Sequence, residues 1–206
     1  MNISLQEWEV ILFYIMVGAY FGSALLNWVW LIFKKDLVGH IATFAAIGGF
    51  FANTVAIVLR WVITQRPPLT NGYEFILTFC WGIVILYLFA EFRYKVKALG
   101  SFVMPIPFLL LTFIIMKMGP AERVAGAIPP ALKSQWLTFH VLTAMVAYGG
   151  FAVAFGLGIM YLIKIRHKAS ALKADQSSWL DRLPEENTLD DIAYKMIGFA
   201  FPLLTL

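Results

Sequence analysis

Three histidines, one cysteine and a few acids near helix ends are the residues of this chain that could do chemistry. His140 lies about one turn inside a long apolar stretch, four residues after Trp136. That spacing puts both side chains on one helix face. Ala144 and Ala147 continue the face, and Gly149, Gly150, Gly156 and Gly158 follow on the same helix. Small residues let another helix or a flat ligand approach the backbone closely. A neutral imidazole in this position can serve as an axial ligand for haem iron, with the indole packed on the porphyrin. The plainer reading is a histidine hydrogen-bonded between helices near a membrane surface, and spacing alone does not displace it.

The other candidates carry less. His40 starts an apolar segment and His167 lies between Arg166 and Lys168, so both read as interfacial or solvated. Cys80, beside Trp81, reads as a small apolar filler. A lone cysteine excludes an internal disulfide, a Cys-x-x-Cys redox pair and a c-type haem attachment motif within this chain. Glu9, Glu74 and Lys117 fall near the ends of apolar segments. Ion-coupled transporters usually carry ionisable groups at mid-depth, and this chain shows almost none there. Glu74 opens a helix, where an acid suits the dipole, so a capping role is its simplest assignment.

The elements that hold these residues are set by composition. Of 206 residues, 61% are hydrophobic and 14% charged, far from the balance a water-facing surface needs. The fold class is all-α, a polytopic transmembrane bundle of about six spans. The spans run approximately over 8–33, 41–59, 72–90, 99–116, 136–163 and 192–206, each long enough to cross the hydrocarbon core except the last, which is short. The first stretch is too long for a signal-peptide core and reads as a retained span. The net charge of +4 concerns membrane orientation rather than nucleic acid, because the cations sit in short connections. Lys34, Lys35, Arg93, Lys95, Lys97, Lys164, Arg166, Lys168, Lys173 and Arg182 follow spans one, three and five, and Lys195 lies just inside span six. They outnumber Arg60, Arg66, Lys117, Arg123 and Lys133 after spans two and four. This places the N-terminus outside and residues 164–191 in a polar cytoplasmic connection, either an interfacial helix around Trp179, Leu180 and Leu183 or a solvated linker. The outer connections hold Pro67 and Pro68, then Pro120, Pro129 and Pro130, which favour ordered turns at helix starts.

Three segments now carry a resemblance. Pro68-Leu69-Thr70-Asn71-Gly72-Tyr73-Glu74 resembles the Pro-Leu-Ser-Asn-x-Tyr-Glu motif of the CcsA/ResC-type cytochrome c biogenesis proteins, except that Phe75 stands where a small hydroxyl residue is usual. Gln135-Trp136-Leu137-Thr138-Phe139-His140-Val141 looks like that family's outer-face histidine segment. Ile197 to Thr205 resembles the span leading into its tryptophan-rich WWD loop. The likeness covers about residue 67 onward, with the three segments in the family's order.

The resemblance implies a membrane subunit of a system II cytochrome c synthetase (haem lyase). Such a subunit binds haem b and presents it at the outer face for attachment to apocytochrome c. It implies His140 as an iron ligand with Trp136 beside it, Asn71, Tyr73 and Glu74 as an outer rim, and a CcsB/ResB-type membrane subunit as partner. The chain stops before the WWD loop, so a second ligand histidine is expected from a separate polypeptide or a continuation. Two other readings stand beside this one: a non-catalytic scaffold subunit of a membrane complex, and a haem- or quinone-binding respiratory anchor.

Overall fold

The structure, a computed structural model, describes residues 4–119, 135–170 and 179–206. Pro120, Pro129, Pro130, Arg123, Lys133 and Lys173 lie outside the described residues. Seven α-helices account for almost all that is described: α1 (Leu5–Phe33), α2 (Asp36–Thr64), α3 (Gly72–Tyr94), α4 (Leu99–Val103), α5 (Pro105–Lys117), α6 (Gln135–Ser170) and α7 (Glu186–Thr205). A single 3-10 turn, Trp179–Arg182, precedes α7.

Local sequence sets the helix limits. Ser4 and Glu7 close a reciprocal capping box at the start of α1. Lys34, Gln65 and Lys95 take left-handed conformations at the ends of α1, α2 and α3. Only Lys34 and Lys35 separate α1 from α2, so the two form a tight antiparallel hairpin. Tyr20 seats against Gly49 across that hairpin: a Cβ there would fall 2.6 Å from the ring. The segment read as one fourth span is helical in two pieces. Pro105 and Pro107 remove two backbone donors, and the chain breaks at Met104 before restarting with proline in the first turn.

Among the described residues, five stretches are long and apolar enough to cross a membrane: α1, α2, α3, α4 with α5, and 138–167 within α6. Their outward faces are apolar, as Phe44, Phe51, Phe92, Leu109 and Phe155 show. The protein is thus an integral membrane protein. The last helix, α7, starts at Glu186, ahead of its apolar run, because Leu189 and Ile192 bury against the bundle from a polar first half. Part of the polar connection also docks rather than floats. Leu183 is buried, Lys164 donates to the carbonyls of Leu180 and Leu183 at 3.1 and 3.2 Å, and Arg182 caps the carbonyls of Trp30 and Leu31.

Glycines fix the helix crossings. Gly82 of α3 lies against the Met145 carbonyl, and Gly149 of α6 against the Gly82 carbonyl. Gly156 receives Val103, and Gly150 receives Ala200 of α7. The helices therefore alternate so that the starts of α1, α3 and α6 share one end of the bundle, with Glu74. The other end carries Glu91.

Candidate functional site

The Glu74 end is organised by a buried charge cluster. Arg60, which the end of an apolar run had suggested was a loop cation, sits inside α2 and is 6% exposed. Its Nε donates to Glu74 Oε1 at 3.2 Å, its Nη1 to Glu9 Oε1 at 3.3 Å, and its guanidinium lies over the Tyr73 ring at 5.2 Å. Tyr73 Oη donates to Glu9 Oε1 at 3.1 Å. Two acids and one cation from three helices thus share one buried site.

Glu74 is its hub. Beyond Arg60, its Oε2 accepts from Arg66 Nη1 at 3.0 Å, from the Thr70 amide at 2.9 Å and from the Thr70 hydroxyl. The N-cap of α3 is Asn71, whose Oδ1 accepts from the Glu74 amide at 2.8 Å. The cap of α3 therefore belongs to Asn71, and the carboxylate of Glu74 holds the 66–70 connection down on the bundle. A buried carboxylate survives only when its lone pairs are filled, and four donors fill these.

The predicted rim residues differ in what they can touch. Tyr73 and Glu74 are buried at 4% and 0% exposure, with their side chains tied into the Arg60 cluster. Asn71 keeps a buried Nδ2 with no hydrogen-bond partner. It borders a cavity of about 420 Å³ together with Gly72, Tyr73, Phe113, Lys117 and Met118.

His140 occupies the second turn of α6 at the same end. On its face, Ala144 and Ala147 are buried against the bundle. Yet the His140 side chain itself is half-buried and Trp136 is 67% exposed. The inward stripe of α6 is thus less covered at its start, where the imidazole is half-buried and the indole exposed. The His140 ring makes no hydrogen bond among the described residues, although its carbonyl accepts from the Thr143 hydroxyl at 2.9 Å. Trp136 leans on Phe139, with ring centroids 5.9 Å apart. No hydrogen bond or ring contact joins His140 or Trp136 to Asn71, Tyr73 or Glu74 among the described residues.

Sequence reasoning missed a second polar cluster, toward the Glu91 end. Glu91 is 5% exposed. Its Oε1 accepts from Thr43 at 2.7 Å and from Lys97 at 2.6 Å, and Tyr87 bonds its Oε2. Asn27 and Asn53 are fully buried, each with an unpartnered Oδ1. Asn53 ties α2 to Tyr20 of α1 and to the Leu77 carbonyl of α3. Cys80 is buried, as an apolar filler should be, with its thiol 3.6 Å from the Pro107 carbonyl.

Fold and site together define a polytopic helical membrane protein with a histidine and a tryptophan displayed at one end of a charge-clamped bundle. The family model described as cytochrome C assembly protein matches residues 69–206, and the chain belongs to that family. It is 31% identical over 197 residues to the cytochrome c biogenesis protein CcsA of Guillardia theta, covering 89% of this chain and 65% of that relative. It is 26% identical over 208 residues to CcsA of Trieres chinensis, with 88% and 66% covered. With CcsA of Gloeobacter violaceus it shares 24% over 228 residues, with 88% and 68% covered. The chain spans about two thirds of the length of these curated relatives. It is accordingly a CcsA-type membrane protein of cytochrome c assembly.

Proposed function

We propose that this chain is the haem-handling membrane part of a cytochrome c synthetase, with its Glu74 end at the extracytoplasmic face. The observation that carries the reading is the opening on α6. His140 lies on the stripe that Ala144 and Ala147 bury, and is itself only half-buried, with the exposed Trp136 on the same face. A flat macrocycle needs an accessible face, and an imidazole with no hydrogen bond among the described residues is a suitable donor for haem iron.

His140 would hold the haem iron, and Trp136 would form a wall against the porphyrin. Haem supplies vinyl groups that react with the cysteine thiols of an apocytochrome c, so this chain's work is to bind and orient. The Glu9–Arg60–Glu74 cluster holds the helix ends in place while that happens. A CcsB/ResB-type subunit completes the assembly.

The test is a visible absorption spectrum of the complex purified with and without His140→Ala. Haem b absorbance is expected in the parent and several-fold less in the variant. Unchanged haem content together with unchanged cytochrome c maturation would remove His140 from the site.

A further inference from the structure

The Glu91 end carries a second cavity, about 410 Å³, lined by His40, Thr43, Phe44, Ile47, Glu91, Phe92, Lys95 and Lys97. Its floor presents no unpaired anion: Glu91 is filled by Thr43, Lys97 and Tyr87. Lys97 is matched to that carboxylate at 2.6 Å. Lys95 is different. It caps α3 in a left-handed conformation, is exposed, and forms no ion pair among the described residues. The cavity lining therefore carries a surplus positive charge at its rim.

The cavity is also graded by depth. His40 sits in the first turns of α2, with its Nδ1 2.8 Å from the Asp36 carbonyl. Phe44 and Ile47 follow on the same face, four and three residues on. At ~1.5 Å per residue they descend roughly 10 Å from His40 toward the bilayer centre. Phe44 and Phe92 are 69% and 61% exposed, so the cavity opens sideways to lipid between them.

We infer that this cavity is a binding site for an anionic phospholipid. The phosphate headgroup meets Lys95 and His40 at the rim, and one acyl chain lies along Phe44, Ile47 and Phe92. Cationic head and apolar body are stacked in the order in which a bilayer lipid presents its own parts. Basic pockets between membrane helices select anionic headgroups in this way.

The test uses the full chain purified in mild detergent, loaded with phosphatidylglycerol or phosphatidylcholine, washed, and assayed for retained lipid by mass spectrometry. Phosphatidylglycerol is expected to be retained preferentially. Lys95→Gln, which spares the Glu91–Lys97 pair, lowers its retention about fivefold, the loss expected of one basic residue near an anionic surface. Lys195→Gln, at an exposed pair with Asp191, leaves retention unchanged. Equal retention of the two lipids, or no effect of Lys95→Gln, overturns the proposal. So does release of the phosphatidylglycerol by added haem with a Soret shift that His40→Gln abolishes, which would make the cavity a porphyrin site.

Discussion

Gly149 meets Gly82 backbone to backbone: a Cβ on Gly149 would lie 2.5 Å from the Gly82 carbonyl oxygen and 2.6 Å from its carbon. Neither atom can turn aside as a side chain would. This contact sets how closely α6, which carries His140, approaches α3, which carries the Glu74 cluster.

Gly149→Ala is therefore expected to push the two helices apart and cost about 1–3 kcal/mol, the range for an overpacked interior. Gly158 lies on the same helix with nothing within 4 Å of its Cβ position. Gly158→Ala should be neutral or stabilising by up to ~1 kcal/mol, through helix propensity alone. Thermal unfolding in detergent separates the two. Equal melting temperatures for both variants would mean that the glycine contact does not set the spacing.

Glu74→Gln keeps the size of the side chain and removes its charge. Arg60 retains Glu9, but Arg66 loses the carboxylate that it meets at 3.0 Å. Breaking one partner of a buried pair costs about 3–5 kcal/mol. The 66–70 connection should then loosen while α3 keeps its Asn71 cap. Limited proteolysis would show faster cleavage within 65–71 and an otherwise similar helix content. If the connection resisted protease as well as the parent, the carboxylate would not be what holds it.

The helices were legible because apolar runs of membrane length leave no other option, and the family motifs were legible as local strings. His140 and Trp136 share a face because four residues separate them, and no tertiary knowledge is needed for that. Arg60 was misread for the opposite reason. An apolar run ends there, and its role depends on Glu9 and Glu74, far away in sequence but adjacent in space. The available signal was that three successive apolar segments carry charges of alternating sign at the same end: Glu9, Arg60, Glu74. Glu91 was hidden among Arg93, Lys95 and Lys97, where an acid reads as loop. The tyrosine one turn before it, Tyr87, was the clue that this acid turns inward. Asn27 and Asn53 had no local marker, since a buried amide is defined by what surrounds it.

The Glu91 cluster offers a sharper test of how buried charge is held. Lys97 and Thr43 fill one carboxylate oxygen and Tyr87 the other. Lys97→Met removes the cation that Glu91 pairs with among the described residues and leaves a nearly buried carboxylate on two neutral hydroxyl donors. The expected cost is about 3 kcal/mol, the low end for an orphaned buried charge, because Lys97 is itself partly exposed. Glu91→Gln in the same chain removes the stranded charge while keeping a hydrogen-bonding side chain, so the double variant should recover most of the loss. That recovery distinguishes a charge effect from a packing effect: a lysine whose stem alone mattered would give additive losses. Chemical unfolding of the four proteins in detergent measures the coupling, and an interaction energy near zero would show that the pair is incidental to the fold.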